Sequence, residues 1–444
     1  MAAPNEEIKN NKIYKRMKKY LTLLAGAMFL TACSNDAEDI AGNNGYQPST
    51  DAIAFEFNGD EVENATRASG AIYNDVALRA EKIGVFTSYT GKLKYENVTV
   101  SPDFMWNQSL TYTGTAWGYA PLKYWPNALA EVPEYLSFFA YAPYEAEPGT
   151  GKCITDISDN NVTGDPWINY RLASKPWDVW NYTDPDPNNW TKTEDANQID
   201  LLFGTRKNGT SYEPWTDVTN WDNEANPTAK LINHKVQFTM KHALASIGNK
   251  ITIKTNAEMN GLIFNYSEIK IYGIKIEYKN LTNKARLILN SADGTANWKE
   301  IISGELTTTR TYLNMFKTPM TFDGSSSTAV DIPYLNGPTT GAPDPMTTQG
   351  DGLFYIPLKI AGTEDATATV TLYYRVHILG PDIYKPLETE PAAEATSKAF
   401  KLDNNLEGKM QGIALTLGKD YDLMHEVWTL GGTATEPSYS RFNK

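Results

Sequence analysis

Residues 268–278 constrain the fold more than any other segment, because polar and apolar residues alternate there over eleven positions. A period of two places successive side chains on opposite faces of a β-strand, so the pattern predicts a strand with one buried face. Shorter segments of strand character recur along the chain, and helical periodicity never lasts beyond a turn or two. Their spacing predicts an all-β chain, built as a sandwich of short strands joined by turns.

Residues 155–230 interrupt this series, because they are rich in Asp, Asn, Pro and Thr and hold six of the eleven tryptophans. Within them only residues 199–203 have strand character, and so long an irregular stretch is typical of an insertion or a binding loop. Three roles for the tryptophans stay open: packing within the loop, a platform for a glycan or host ligand, and a contact between subunits. Trp190 and Trp215 are the candidates for ligand binding.

Lysines, an apolar run and small residues precede Cys33 in the order of a secretory signal peptide. The run, residues 21–30, is too short to cross a hydrocarbon core of about 30 Å. A cysteine at the cleavage point indicates a lipoprotein signal, since its thiol takes a diacylglycerol and the new amino group can take a further chain such as palmitate. Two or three acyl chains anchor a protein firmly. We predict removal of residues 1–32 and lipidation of Cys33, against the alternative of a free cysteine after a buried helix.

The residues beside this signal leave two further points open. Glu6 and Glu7 are unusual in a signal peptide, so Met17 competes with Met1 as the true start. The acidic tract at residues 34–39 resembles the export tag of Bacteroidetes lipoproteins that reach the outer face of the outer membrane. The alternative is a plain solvated spacer within a flexible stalk, residues 34–50.

The charge balance excludes some partners. Without residues 1–32 the chain keeps 34 basic and 51 acidic residues, a net charge of −17. Such a surface repels nucleic acid and anionic lipid, so we expect neither as a partner. Apart from Cys33 the only cysteine is Cys153, which leaves no intramolecular disulfide.

The sequence offers little for catalysis. Its four histidines are scattered, and neither an HExxH nor a CxxC metal motif occurs. A Gly-x-Ser-x-Gly elbow and a phosphate-binding Walker loop are also missing. Two neighbouring carboxylates do not indicate a glycosidase on a chain with so many acidic residues. We expect no enzyme, no cofactor and no metal site.

Several segments, taken in order, resemble the fimbrillin-like proteins of Bacteroidetes, which include fimbrial subunits and their tip and anchor partners. The segments are the lipoprotein signal, residues 53–57, residues 65–68, residues 119–126, residues 136–144 and residues 238–245. The resemblance implies two transthyretin-like β-sandwich domains in tandem, with the long Trp-rich insertion in the first. It also implies a lipidated prosegment at residues 33–67, an N-terminal domain at 68–232 and a C-terminal domain at 233–444.

The resemblance further implies assembly by strand exchange. An arginine-specific maturation protease would cut between Arg67 and Ala68, the strand at residues 53–57 would leave, and another fimbrial subunit would donate a strand to the vacated groove. The donor candidates are residues 409–417 with 427–430. The protein would sit on the outer membrane surface through Cys33 and enter a fimbrium, for adhesion to a host protein or glycan, once processed. The alternative is a monomeric surface lipoprotein that binds glycans through its loop tryptophans.

Overall fold

The structure is a computed structural model, which describes residues 48–59, 75–126, 133–172, 179–181, 191–193, 199–220, 230–256, 267–323, 328–332, 353–378, 393–404, 409–418 and 423–430. This part of the chain is almost entirely β, with one short helix, α1 (Asp75–Ala80), and a 3-10 turn at Tyr95–Asn97. No helix in it is both long and apolar enough to span a membrane.

The strands are, in chain order, β1 (Pro48–Ala52), β2 (Ala54–Gly59), β3 (Lys82–Gly91), β4 (Met105–Tyr112), β5 (Trp117–Gly118), β6 (Tyr124–Pro126), β7 (Tyr135–Ala142), β8 (Ile154–Ile157), β9 (Trp167–Arg171), β10 (Val179–Asn181), β11 (Thr191–Thr193), β12 (Leu202–Asn208), β13 (Ser211–Glu213), β14 (Trp215–Val218), β15 (Lys235–His242), β16 (Ala245–Thr255), β17 (Ser267–Thr282), β18 (Lys284–Ile288), β19 (Asn297–Glu300), β20 (Thr307–Asp323), β21 (Val330–Asp331), β22 (Leu353–Tyr355), β23 (Thr367–Ile378), β24 (Ala393–Thr396), β25 (Phe400–Lys401), β26 (Met410–Leu417) and β27 (Leu423–Leu430).

The largest sheet has nine strands, in the order β2-β15-β12-β7-β3-β4-β5, with β13 on β12 and β14 on β7. All its pairings are antiparallel except one, because β2 runs parallel to β15. Two small ribbons pair β1 with β6 and β10 with β11.

The central strands of this sheet are buried on both faces, which explains their nearly continuous apolar sequences. In β3, Val85 points into one hydrophobic core and Phe86 into another. In β7, Phe138 and Phe139 divide between the same two cores. The first core lies on the face of the sheet that carries Phe55 and Phe57 of β2. The second lies on the opposite face and includes buried residues of the other large sheets.

A four-stranded sheet, in the order β19-β18-β9-β8, joins parts of the chain that are far apart in sequence. Its inner face is apolar, since Ile168 and Tyr170 of β9 and Leu287 of β18 are at most 1% exposed. We expected residues 155–230 to be irregular except at 199–203. Instead they contribute strands to this sheet and to the nine-stranded one. The short strands escape detection because their outward-facing members are Trp, Asn and Arg, which resemble loop composition.

Two five-stranded sheets form most of the second half of the chain, residues 245–430. One is ordered β21-β16-β26-β27 with β22 on β16, and the other is ordered β20-β17-β23-β24 with β25 on β23. The long alternating strand is confirmed as β17. Its alternation changes phase at Gly273, where the pairing with both neighbours shifts register. This irregularity keeps Ile271 and Ile274 on the same buried side, each at most 1% exposed.

The all-β fold class is therefore confirmed, in the form of β-sandwich layers in tandem. The division at residues 232 and 233 stays a prediction. We propose that the junction lies at Ala243 and Leu244, because β15 belongs to the nine-stranded sheet and β16, which starts at Ala245, opens the next one.

The close approach of β3 to Tyr141 yields a test of the double-sided core. A Cβ atom at Gly84 would lie 2.1 Å from Cε1 of Tyr141, whose buried hydroxyl donates to Oδ1 of Asn107 at 2.8 Å. We expect Gly84→Ala to lower the free energy of unfolding by about 1–3 kcal/mol through overpacking. Urea denaturation measures it, with Gly149→Ala as control, because a Cβ there meets no atom within 4 Å. Equal midpoints for the two variants would contradict this packing.

Candidate functional site

The strand predicted to leave, residues 53–57, lies at the edge of the nine-stranded sheet. Its residues Ala54–Gly59 form β2, and the register pairs Phe55 with Val236 and Phe57 with Phe238 of β15. The alternation of the sequence has its expected consequence, because Phe55 and Phe57 are 2% and 0% exposed while Ala54 and Glu56, which alternate with them, are half-buried. β2 is therefore a strand with one face in the core.

Phe57 occupies the centre of an aromatic cluster that reaches the opposite end of the sheet. Its ring stacks on Phe238 of β15 at 5.3 Å between centroids and meets the edge of Trp117 in β5 at 5.0 Å. Phe55 makes edge contacts with Tyr119 and Phe138, both at 5.7 Å. β2 thus fills a slot between β15 on one side and residues 117–123 on the other, which we call the strand groove.

The segment that precedes β2 is bound to the far wall of the strand groove by its backbone. The Ile53 amide donates to the carbonyl of Lys123 at 2.9 Å, and the Tyr119 hydroxyl donates to the carbonyl of Ile53 at 2.9 Å. β1 continues along β6. The chain therefore changes partner at Ile53, from β6 to β15.

Charged and polar contacts add to these pairings at the surface. Lys235 Nζ lies 3.0 Å from Oε2 of Glu56, in a pair exposed enough that it contributes below about 1 kcal/mol. At the end of β2 the Gly59 amide donates to Oδ1 of Asp75, the first residue of α1, at 2.8 Å. Gly59 and Asp75 are the described residues that flank Arg67 in sequence, so the segment carrying Arg67 starts and ends at one place on the surface.

Three predicted site residues, Cys33, Arg67 and Ala68, lie outside the described residues, as does Trp190. Their roles stay predictions. The structure describes the strand and the groove that processing at Arg67 would affect, and Gly59 and Asp75, the described residues on either side of Arg67 in sequence.

The candidate donor segments are both strands of the second half. β26 lies between β16 and β27, and its Ile413 and Leu415 are completely buried. β27 pairs with β26 on one side and is the last strand in the order of its sheet. Along its outer edge, Leu423 makes an isolated bridge to Ser397, and the His425 ring stacks on Phe400 at 4.4 Å.

Trp215 is buried in the core below the strand groove. It is 1% exposed, its ring meets the edge of Phe238 at 6.0 Å, and the Arg206 guanidinium lies 5.5 Å from it. A ring so enclosed has no face on which a sugar can stack, so ligand binding by Trp215 is incompatible with this structure, and packing explains the residue. Trp167 differs, because it is half-buried on the outer face of β9.

Several other ionisable side chains form hydrogen bonds that hold the fold together. Asp200 Oδ1 lies 3.0 Å from Nδ1 of His242 in a buried pair. Asp165 accepts hydrogen bonds from the Tyr95 hydroxyl at 3.0 Å and from Asn290 at 2.9 Å. Burial and then the charge of Asp165 raise the pKa of Tyr95 well above its usual range. In the part of the chain that the structure covers, no group of three His, Cys, Asp or Glu side chains is arranged to hold a metal ion.

Sequence reasoning found the strand that would leave but missed most of the groove that holds it. Residues 119–126 stood out only as a segment resembling a family, and Asp75 carried no signal. A signal for the pairing existed, since residues 53–57 and 236–240 share the same alternation and length, but alternation alone does not say which strands pair.

The central position of Phe57 predicts that truncation of its side chain destabilises β2 and β15 more than the rest of the structure. Phe57→Ala removes a completely buried ring, a change that typically costs about 3–5 kcal/mol, and β2 has a strand neighbour in the ladder on only one side. We therefore expect faster amide hydrogen exchange in β2 and β15, with little change in β16 and β17. Asn58→Ala is the matched control on the same strand, at a half-buried position. If Phe57→Ala leaves the exchange rates of the β2 amides unchanged, the ring does not hold the strand.

Known proteins resemble this chain in sequence and in fold, although no protein-family model matches it. Fimbrium subunit Fim1C of Phocaeicola vulgatus is 29% identical over 234 residues, which are 51% of this chain and 51% of that protein. The chain thus matches about half the length of this curated relative. The crystal structure of a fimbrial protein from Bacteroides vulgatus aligns with 86% of this chain and 99% of its own, with a TM-score of 0.53 and 20% identity.

The fold comparison shows that the layered β architecture occurs in a solved fimbrial protein, and the sequence comparison adds a related fimbrial subunit. Together they confirm that this chain resembles the fimbrillin-like family of Bacteroidetes.

Proposed function

We propose that this chain is the precursor of a fimbrial subunit, exported as a lipoprotein on Cys33, cut after Arg67 and assembled by strand exchange at the cell surface. The observation that carries the proposal is β2, an edge strand with buried apolar side chains, in a groove flanked by the two residues between which Arg67 lies in sequence. The relative named as a fimbrium subunit supports the role in a fimbrium and favours a structural protein over an enzyme.

The geometry explains why a cut in the segment after β2 would matter. With Arg67 intact, β2 is joined to α1 by the chain; after cleavage, only non-covalent contacts hold residues 48–59 to the body. Full burial of Ile53, Phe55 and Phe57 contributes at most about 5–9 kcal/mol in total. Departure of the strand would expose Phe238 and Trp117 and a row of unpaired backbone groups on β15.

A strand donated by another subunit would cover the exposed apolar side chains and pair with the free backbone groups of β15 at once. Its backbone would pair with β15, and apolar side chains at alternate positions would fill the sites of Phe55 and Phe57. The exchange replaces one strand by an equivalent one, so the free energies of the two states are similar and the barrier is the opening of the strand groove. Fimbrial subunits joined in this way would separate only slowly.

Of the two donor candidates, we propose β27 together with the residues that follow it. Withdrawal of β26 would break two ladders and expose Ile413 and Leu415, whereas withdrawal of β27 breaks one ladder. The edge position of β27 makes it the cheaper strand to release.

Cleavage is tested with the protein recovered from cells. Wild type is expected to start at Ala68 in the fimbrial fraction, as read by N-terminal sequencing and intact mass. Arg67→Ala and Arg67→Lys are both expected to stay uncut, lipidated at Cys33 and unpolymerised; the lysine variant keeps the charge and controls for its loss. Normal polymers from either variant would contradict the proposed maturation.

Departure of β2 is tested separately by a reversible cross-link. Glu56 and Gln237 are register partners on β2 and β15, and neighbouring strands bring Cα atoms within the range that a disulfide bridges. The oxidised double variant Glu56→Cys/Gln237→Cys is expected to be cut at Arg67 but to polymerise only after reduction. The two single variants control for the substitutions, including loss of the contact with Lys235. Polymers of the oxidised double variant would show that β2 need not leave.

A further inference from the structure

The outer face of the four-stranded sheet carries a concentration of positive charge on a chain with a net charge of −13. β9 and β18 pair so that Arg171 lies opposite Lys284, and β18 and β19 pair so that Arg286 lies opposite Lys299. Directly opposed residues of antiparallel strands point to the same side, with Cβ atoms about 5 Å apart. We call this side, defined by Arg171, Lys284, Arg286 and Lys299, the basic face.

The basic face is turned to solvent. The residues that alternate with it, Ile168, Tyr170, Ala285, Leu287 and Trp298, are 0–8% exposed and form the inner face. Lys299 is exposed, and the other three cations are half-buried, as expected when long side chains lie on a sheet and keep their charged ends in water.

Among the described residues, few carboxylates counter these charges. Asp156 of β8 lies on the same side of the sheet as the basic face, since its register partner is Asn169, whose Nδ2 donates to it at 3.4 Å. Glu300 follows Lys299 on β19 and accepts the Ala361 amide at 2.7 Å. Lys284 Nζ donates to the neutral Oγ of Ser303 at 2.8 Å, and the buried Nε of Arg171 has no hydrogen-bond partner in the described part of the chain. The four strands thus carry four cations and two carboxylates.

One tryptophan lies on this face and a second, from the nine-stranded sheet, lies at the end of the four-stranded sheet. Trp167 stacks against the Arg286 guanidinium, 3.6 Å from the ring centre, and Arg286 Nε donates to Asn169 at 2.9 Å. Trp106 of β4 is 44% exposed, and its indole donates to the carbonyl of Ser158 at 2.7 Å. The Ser158 amide in turn donates to the carbonyl of Trp167 at 3.0 Å, which links the two aromatic residues at the sheet end.

We infer that the basic face binds an anionic polysaccharide, a chain of sugars that carry sulfate or carboxylate groups. The four cations would pair with the anionic groups, and Arg side chains suit such oxygens because the guanidinium can donate two parallel hydrogen bonds. The exposed face of Trp106 would stack on a sugar ring, a contact that an acidic peptide segment does not need. The rest of the chain has more acidic than basic residues, so we expect binding to centre on this sheet.

Retention of the chain without the predicted signal peptide, residues 33–444, on immobilised heparin, a sulfated polysaccharide, tests the inference, because residues 1–32 carry a basic cluster of their own. A protein with 34 basic and 51 acidic residues, net charge −17, is not retained through its overall charge, so retention at low salt and elution by NaCl are expected to come from the basic face. The triple variant Lys284→Gln/Arg286→Gln/Lys299→Gln is expected to pass through, with its folding checked by circular dichroism.

The matched control removes the same number of charges elsewhere: Lys92→Gln/Lys94→Gln/Lys207→Gln, at three exposed positions. It is expected to be retained like wild type, and equal loss in both triple variants would overturn the assignment to this face. The single variant Lys299→Gln, which changes an exposed residue, is expected to elute at lower salt than wild type even if the triple variant misfolds. Unchanged elution of Lys299→Gln would count against the proposal.

Competition identifies the class of ligand. Free heparin or dextran sulfate is expected to elute the protein, and uncharged dextran is not. Polyglutamate is expected to compete at least tenfold less well, and Trp106→Ala is expected to weaken retention at unchanged charge. Equal competition by polyglutamate, or retention indifferent to Trp106→Ala, would show a surface for acidic polypeptide and overturn the polysaccharide assignment.

Discussion

The burial of β3 and β7 on both faces is the constraint on which the rest of the structure depends. These strands form the centre of the nine-stranded sheet, and each contributes side chains to two cores. One core holds the strand groove and β2; the other continues into the four-stranded sheet and the second half of the chain. Since both cores share the same strands, the second half stabilises the frame against which β2 is held. β2 itself adds only one face to one core, so the frame can outlast its departure.

The sequence anticipated local structure well wherever alternation was clear. Residues 54–57, 236–242 and 268–278 lie in strands, as do the apolar runs at 83–86 and 136–142. It failed for β8 and β9, whose outward residues resemble a loop, and for Trp215, whose burial depends on Phe238, far away in sequence. The parallel pairing of β2 with β15 was equally out of reach, because partner choice is set by packing between segments about 180 residues apart. The elements were therefore predictable, and the groove that they form was not.

Charge is distributed unevenly over this acidic chain. A net charge far from zero favours solubility and disfavours association between like-charged copies. The four-stranded sheet is an exception to this net negative charge, since Arg286 and Lys299 lie opposite each other on neighbouring strands. Like charges in direct opposition destabilise a sheet slightly, so this arrangement costs stability unless a counter-charge arrives from outside. The apolar inner face, with Trp298 and Leu287, supplies the packing that tolerates the cost.

The hydrogen bond between Gly59 and Asp75 has a consequence for the proposed cut after Arg67. While the chain between the two residues is whole, a strand that slips out of its groove is held nearby at an effective concentration in the millimolar range, and it returns at once. A cut would end that tether, and the body of the subunit could then move away from a strand that stays on the lipid anchor proposed at Cys33. Such a cut would not have to weaken any contact in the groove. It would make the loss of the strand irreversible, and the pace of the proposed maturation would be that of a spontaneous opening.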